Sequence, residues 1–325
     1  MGAVGVTASM VRRRRPLVQA VHPDLRSPLL YLPMNITSAR AVPGARKLLS
    51  RPAPIVDGVD VRTEHVQGLD GAPAVRVLVY EPTGRSHPSG ALVWFHGGGF
   101  LFGIPEQSHT WCSEVARRLG IVVVNVDYRL APEHPFPAGS DDAMAALVWV
   151  HDQASEMGID PRRIAVGGDS AGGGLAASLA QRARDEGSPH IAFQLLVYPM
   201  LDDRTVERSE KTGRDALVWS AASNRFAWDA YLGGPSGSVE PPLHAAPART
   251  VDLAGLPPAW IGVGDIDLFH EEDVDYAERL LAAGVPCRLR VEPGMFHAAD
   301  GMFVKGDISR AFRGDAMEAL DEALT

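Results

Sequence analysis

Cysteine is scarce in this sequence, with only Cys112 and Cys287 among 325 residues. Both lie in apolar contexts, and neither belongs to a cluster of cysteines and histidines with the spacing of a metal site. Disulfide-stapled domains and zinc modules need more cysteines than this. The pair therefore predicts reduced thiols packed inside a cytoplasmic protein that binds no metal.

Long apolar runs and an excess of basic charge are missing as well. No stretch approaches the 18 consecutive apolar residues of a membrane helix, and the segment after the arginines at 12–15 is broken by proline too early for a secretory leader. The 31 Lys and Arg residues are outnumbered by 40 Asp and Glu, which gives a net charge of -9. We therefore expect neither stable membrane insertion nor a nucleic-acid partner, and the arginine run is typical of a solvated arm.

What the sequence does contain is a series of short apolar or β-branched segments bounded by turn residues. Eight of them predict strands, at about residues 59–66, 74–80, 91–95, 121–127, 164–168, 192–197, 259–263 and 287–291. From the third onward they alternate with helical patterns, such as the one that opens at Ser140 and the one over 271–283. This order predicts an α/β fold in which a parallel sheet is flanked by helices on both faces.

Two segments have no place in that sheet. About sixty residues separate the sixth and seventh predicted strands, whereas an ordinary connection has about 2 to 6. We predict an α/β core of residues 51–199 and 251–325, an N-terminal cap segment of residues 1–50 and a cap insertion of residues 200–250. The insertion carries aromatic residues at helical spacing, which either line a substrate pocket or pack in the core; they are Trp219, Phe226 and Trp228.

The most informative motif is the pentapeptide Gly168-Asp169-Ser170-Ala171-Gly172. It follows a predicted strand and precedes a helix of small residues, which is the setting of a G-x-S-x-G nucleophile elbow. A serine there could instead be a helix N-cap. A phosphate-binding loop is disfavoured because the glycine-rich run lacks Gly-Lys-Ser or Gly-Lys-Thr.

Compatible groups follow the ends of other strands, and in an open parallel sheet such residues meet at one edge. They are the glycines after His96, the carboxylates Asp265 and Asp267, and His297. A serine needs a base to accept its proton, and the base needs a carboxylate to orient it. We predict Ser170 as nucleophile, His297 as base, an aspartate of the 265–267 loop as orienting acid, and the amides of Gly98, Gly99 and Ala171 as the oxyanion hole.

Four motif blocks together resemble the hormone-sensitive lipase family of bacterial esterases within the α/β-hydrolases. The blocks are the residues at 96–100, 127–133, 168–173 and 293–297. The resemblance implies an eight-stranded, mostly parallel sheet with a helical cap, a serine carboxylesterase activity, no cofactor and a possible homodimer. Aligning Glu271 and Glu272 with the acidic pair of the family places the triad acid at Asp267. The chain departs from the family after His297, where Ala298-Ala299-Asp300 replaces an apolar Gly-Phe pair.

The expected function is hydrolysis of short to medium chain acyl esters, a small-molecule substrate class, through an acyl-enzyme intermediate. An amidase or deacetylase with the same triad is an alternative, which matched ester and amide substrates would separate. A non-catalytic small-molecule receptor on the same scaffold is a second alternative. A receptor has no need of serine, aspartate and histidine together, so their joint presence favours an enzyme.

Overall fold

The computed structural model describes residues 8–212, 216–237 and 239–325. Eight strands form one sheet: β1 (Val59–Val66), β2 (Val75–Pro82), β3 (Ser89–Phe95), β4 (Val122–Asp127), β5 (Ile159–Asp169), β6 (Phe193–Val197), β7 (Ala259–Gly264) and β8 (Cys287–Glu292). Their spatial order is β1-β2-β4-β3-β5-β6-β7-β8. Strand β2 is antiparallel to β1 and β4, and the remaining neighbours are parallel. The predicted fold class is confirmed.

Ten α-helices lie in the part of the chain that the structure describes: α1 (Ala8–Ala20), α2 (Val42–Leu49), α3 (His109–Leu119), α4 (Ala138–Asp152), α5 (Ala171–Glu186), α6 (Thr205–Thr212), α7 (Ala221–Leu232), α8 (His270–Ala282), α9 (Ala299–Met302) and α10 (Asp307–Leu324). None of these helices combines the length and apolar character needed to cross a bilayer. Helices α4 and α8 begin within two residues of their predicted starts.

The middle strands are buried on both faces, as their continuous apolar runs predict. All seven residues of β3 are buried, and successive side chains point to opposite faces. Leu92 and Trp94 join a cluster with residues of α3 and α10, whereas Val93 and Phe95 join a cluster with residues of α4, α5 and α8. Full burial of such a side chain contributes about 1.5 to 3 kcal/mol. The two clusters therefore hold the sheet rigid beneath its carboxyl edge.

Residues of the N-terminal segment pack against the loop that follows β8. Leu25 and Leu30 are buried in one apolar cluster with Met295 and Phe296. The backbone N–H of His22 donates to the carbonyl of Gly294 over 2.9 Å. This part of the chain therefore supports the loop that carries His297.

Later residues of the same segment contact the insertion and the loops near β3 and β4. The N–H of Ile36 donates to Ser223 Oγ on α7 over 2.9 Å. The Arg46 guanidinium donates to the Leu101 carbonyl over 2.9 Å and forms an ion pair with Glu133 at 2.7 Å. These bonds connect the segment to the insertion on one side and to the sheet edge on the other.

Candidate active site

The turn between β5 and α5 holds Ser170 in a conformation that few residues other than glycine adopt. Its φ is 56° and its ψ is -119°, and strain of this kind costs about 1 to 3 kcal/mol. The Ser170 N–H donates to the Val197 carbonyl, and the Ser170 carbonyl accepts from the Met200 N–H, each over 2.9 Å. A Cβ atom at Gly172 would lie 2.0 Å from the Phe95 carbonyl oxygen, so only glycine fits beneath the turn. The turn is the strand-to-helix elbow that the motif predicts.

The Ser170 side chain does not cap α5. Its Oγ lies 2.9 Å from His297 Nε2, and His297 Nδ1 lies 2.9 Å from Asp267 Oδ2. All three residues are buried. Because an ionised carboxylate only accepts hydrogen bonds, Nδ1 carries the hydrogen and Nε2 is left to accept the serine proton. The structure thus brings the three predicted residues together in the order that nucleophilic catalysis requires.

The two aspartates of the loop after β7 have different partners. Asp267 also accepts from the Phe269 N–H over 2.9 Å, which fixes its carboxylate toward His297. Asp265 is exposed, and its carboxylate accepts from the Gly294 N–H over 2.6 Å. Asp265 therefore secures the turn after β8, and Asp267 is the one that contacts the imidazole.

The glycine loop after β3 has the backbone geometry that its composition indicates. Gly98 has a φ of 133°, and a Cβ atom there would lie 1.8 Å from the Phe102 carbonyl oxygen. Among the described residues, the amides of Gly98 and Gly99 donate to no protein acceptor. Ala171 is the first residue of α5, where an N–H has no acceptor within the helix. All three predicted oxyanion donors are therefore unoccupied by other hydrogen bonds.

His96 supports this loop from inside the protein. It is fully buried, and burial holds the pKa of its ring below the ordinary histidine value, so the ring is neutral. Its Nδ1–H donates to the Gly97 carbonyl over 2.8 Å, and its ring stacks on Tyr128 at 4.5 Å between centroids. The Tyr128 hydroxyl in turn donates to the His96 carbonyl over 2.6 Å. These contacts give His96 a bracing position.

Of the three predicted pocket aromatics, Trp219 lies against the glycine loop. Its ring comes within 2.3 Å of where a Cβ atom of Gly99 would stand, and its centroid is 6.4 Å from that of Phe102. The indole Nε1–H donates to Asn224 Oδ1 over 3.1 Å, which fixes the ring. Trp219 is therefore placed beside the proposed oxyanion donors.

The other two aromatics lie deeper in the protein. Trp228 is fully buried, and its ring makes edge-to-face contacts with Phe100 at 5.8 Å and with Tyr231 at 5.9 Å between centroids. Phe226 is partly buried and packs against the same cluster. Of the two roles left open by the sequence, packing in the core describes Trp228 better than lining a substrate pocket, because its ring is enclosed by protein.

Sequence reasoning assigned no structural role to Glu272, a buried carboxylate that helped only to align the Asp267 loop with the family. Glu272, on the first turn of α8, accepts from the N–H groups of Leu201 at 2.7 Å and Asp202 at 3.2 Å, and from the Thr205 hydroxyl. Burial, with a further contribution from Asp202, raises the pKa of Glu272 to about 8. Glu272 thereby ties the start of the insertion to the helix that follows the Asp267 loop.

Glu272→Gln tests this tie through the pH dependence of stability. Glutamine can accept from both amides and donate to Thr205, so the geometry is kept. Because the pKa of Glu272 rises from 4.5 to about 8 on folding, its stabilising effect is full below pH 4.5 and is lost as the pH rises through 8. Urea unfolding measures the free energy of unfolding of each protein. Between pH 5 and 9, the difference between variant and wild type should shift in favour of the variant by at least about 1.4 kcal/mol, the equivalent of one pKa unit. Glu278→Gln on the exposed face of α8 is the control, and parallel stability curves for wild type and Glu272→Gln would contradict the prediction.

Comparison with known proteins places these features in a family. The family model of the alpha/beta hydrolase fold matches residues 92–300, which include all four motif blocks. The chain belongs to this family, in its hormone-sensitive lipase-like branch. The predicted resemblance is confirmed.

Named relatives and solved structures agree on the class of enzyme. The chain is 38% identical over 311 residues to carboxylesterase NlhH of Mycobacterium tuberculosis, covering 94% of this chain and 96% of that protein. It is 34% identical over 239 residues to ethyl acetate hydrolase of Pseudomonas putida, covering 72% and 73%. The structure of a bacterial heroin esterase superposes with a TM-score of 0.86 at 39% identity, covering 95% of this chain and 99% of that one. Esterase LipW from Mycobacterium marinum gives 0.82 at 34%, covering 94% and 96%. The predicted class, a carboxylic ester hydrolase, is confirmed.

Proposed function

We propose that this esterase cleaves short to medium chain acyl esters through an acyl-enzyme formed on Ser170. The observation that carries the proposal is the chain of contacts from Ser170 Oγ to His297 Nε2 and from His297 Nδ1 to Asp267 Oδ2, each 2.9 Å long. The strained elbow presents the hydroxyl to the base, and the carboxylate holds the base in the tautomer that accepts a proton.

In the first half-reaction, Ser170 Oγ attacks the ester carbonyl carbon while its proton passes to His297 Nε2. Asp267 stabilises the imidazolium that results. The negative charge that develops on the carbonyl oxygen is taken up by the amides of Gly98, Gly99 and Ala171, and each such donor contributes about 3 to 4 kcal/mol in the transition state. Collapse of the tetrahedral intermediate breaks the ester bond, and the departing alcohol takes the proton from the imidazolium.

The second half-reaction repeats these steps with water as the nucleophile. His297 accepts a proton from water as the hydroxyl oxygen attacks the acyl carbon. The same amides hold the oxyanion, and the proton returns from His297 to Ser170 Oγ as the carboxylic acid leaves. The side chains and backbone amides named above supply every catalytic group for both half-reactions, and water is the only co-substrate.

We further propose that residues 8–50 and the described residues of 200–250 cover the acyl pocket as a cap; residues 1–7, 213–215 and 238 of the predicted cap lie outside the described part of the chain. The bond between Ile36 and Ser223 joins the two segments, and the contact of Trp219 with Gly99 brings the insertion to the glycine loop. A slot closed in this way has a finite length. Each methylene buried in it contributes about 0.8 kcal/mol, up to about fourfold in kcat/KM, until the wall is reached.

Chain-length selectivity is the experiment that tests this function. On p-nitrophenyl esters, kcat/KM should rise from acetate to an optimum between butanoate and octanoate and then fall. Trp219→Ala should move the optimum to longer chains by removing a wall, and Trp219→Phe should restore most of the original profile. Highest activity on emulsified long-chain triacylglycerol would identify a lipase instead. Faster cleavage of a matched anilide than of the ester would favour the amidase.

The cytoplasmic location and the homodimer are proposals as well. Cys112 and Cys287 are free thiols, the state that a reducing compartment maintains. Strand β8 ends the sheet, and an open edge offers N–H and C=O groups to a second copy. Cell fractionation tests the first proposal, and a monomeric mass in sedimentation at micromolar concentration would exclude the dimer.

A further inference from the structure

The short helix α9, which follows the His297 loop, carries a buried carboxylate that the proposed triad does not use. Asp300 Oδ1 accepts from the Tyr198 hydroxyl over 2.8 Å, and its Oδ2 accepts from Arg313 Nε over 2.9 Å. Tyr198 directly follows β6, and Arg313 lies on α10. Asp300 therefore ties the His297 loop to two elements of the core, and it stands where the sequence departs from the family pattern.

Tyr198, which is held by Asp300, packs against the proposed base His297. Its ring meets the His297 ring edge-on, with centroids 5.0 Å apart and planes at 67°. The Tyr198 N–H donates to the Gly262 carbonyl over 2.6 Å, so its backbone is fixed by β7. Burial, followed by the charge of Asp300, raises the pKa of Tyr198 well above its usual value, and the hydroxyl stays a donor. The Asp300 bond therefore fixes the far end of a ring that packs on the imidazole.

Asp300 also acts on the other side of the elbow. Asp169, which precedes Ser170, accepts from the Gly97 N–H over 3.1 Å at the base of the glycine loop. Burial and then the charge of Asp300 raise the pKa of Asp169 to about 6. The charge of Asp300 therefore acts on a residue that connects the nucleophile to the glycine loop, and the Arg313 guanidinium offsets that charge.

We propose that Asp300 is a positioning residue that holds His297 in line with Ser170 through the Tyr198 hydroxyl and the ion pair with Arg313. The inference rests on the proposed roles of Ser170 and His297. With Asp300 bonded, the Tyr198 ring and the His297 loop have one arrangement. Without the bond, the ring and the loop gain freedom, and the distance from Nε2 to Oγ spreads beyond the 2.9 Å of the structure. The effect falls on the chemical step and leaves substrate binding nearly unchanged.

Tyr198→Phe is the decisive variant, because it removes one hydroxyl and keeps both the ring against His297 and the ion pair of Asp300 with Arg313. We expect kcat on p-nitrophenyl butanoate to fall by about ten- to a hundredfold with KM within about twofold, since small misplacements of reacting groups cost up to about a hundredfold. The rate of phosphonylation of Ser170 by a fluorophosphonate should fall by the same factor. Tyr276→Phe is the matched control. It removes another buried hydroxyl, which accepts from Gln181 over 3.0 Å, and should cost stability but not kcat.

Asp300→Ala and the double variant complete the test. Because alanine at 300 has no acceptor, both single changes break the bond from the Tyr198 hydroxyl to Asp300, and the double variant should be no slower than the slower single variant, whereas independent effects would multiply. Wild-type kcat and labelling rate in Tyr198→Phe would overturn the proposal, even if Asp300→Ala failed to fold. Activity retained by Ser170→Ala would instead overturn the proposed function, so the two failures are distinguishable.

Discussion

Replacing Ser170 with alanine should lower kcat by about six orders of magnitude, as loss of a triad nucleophile does in serine hydrolases. The hydroxyl makes no capping bond to α5, and its contact with His297 serves the chemistry. The fold should therefore persist, with the melting temperature within a few degrees of the wild type. The measurement is kcat on p-nitrophenyl butanoate with purified protein.

Ser178→Ala is the matched control for this variant. Ser178 is another buried serine, on α5, and its Oγ donates to the His244 carbonyl over 2.6 Å. Loss of this hydrogen bond should cost about 0.5 to 1.5 kcal/mol of stability. It should leave kcat close to the wild-type value, because the bond touches no reacting group. More than about a tenth of wild-type kcat in Ser170→Ala would contradict the assignment of the nucleophile.

Asp267→Asn should lower kcat by about four orders of magnitude, whereas Asp265→Asn should cost less than about tenfold. The amide of asparagine at 267 can donate to His297 Nδ1, which leaves the hydrogen on Nε2 and removes the acceptor that Ser170 needs. Asp265 contacts the Gly294 N–H instead, a bond that the asparagine oxygen can still accept. Both variants replace one carboxylate oxygen with an amide NH2, and the two positions are two residues apart. Each variant is therefore the control for the other.

The relative loss of kcat in the two variants shows which carboxylate orients His297. If Asp265→Asn were the slower enzyme, the alignment of this loop would be wrong. If neither variant were impaired, His297 would be oriented by other groups, of which the Tyr198 and Phe269 rings at 5.0 Å are the nearest aromatic contacts.

The middle of the sheet could be predicted from the sequence because those strands are buried on both faces and therefore largely apolar. The run at Val122–Asp127 shows this, and its predicted bounds differ from the observed ones by one residue. Strand β5 begins at Ile159, five residues before its predicted start. Proline and charged residues at 160–163 interrupt the apolar pattern there, and the pairing of Ile159 with Ser89 depends on the tertiary structure.

The candidate site followed from topology as much as from motifs. Ser170 and His297 are 127 residues apart, yet both stand after parallel strands whose carboxyl ends share an edge. The bonds of Asp300 and Glu272 were not predictable in this way. They join a side chain to partners on separate elements, and no periodicity in the sequence records such a pairing. The unusual residues after His297 were the one signal.

The surface against which the N-terminal segment packs could not be predicted from the sequence either. Its short apolar pieces predict helices that need cover, but they do not say which surface provides it. The structure packs Leu25 and Leu30 against Phe296 in the core and leaves Ile36 to meet the insertion. Deleting the whole segment would therefore remove support for the His297 loop together with the cap.

Trapping the acyl-enzyme tests the central claim most directly. The protein is mixed with p-nitrophenyl butanoate, quenched in acid within milliseconds and digested for peptide mass spectrometry, while nitrophenol release is followed by stopped flow. We predict a burst of nitrophenol that approaches one equivalent per active site and a butanoyl group on the peptide that contains Ser170. Linear release without a burst, together with unmodified Ser170 or an acyl group on another residue, would contradict the account.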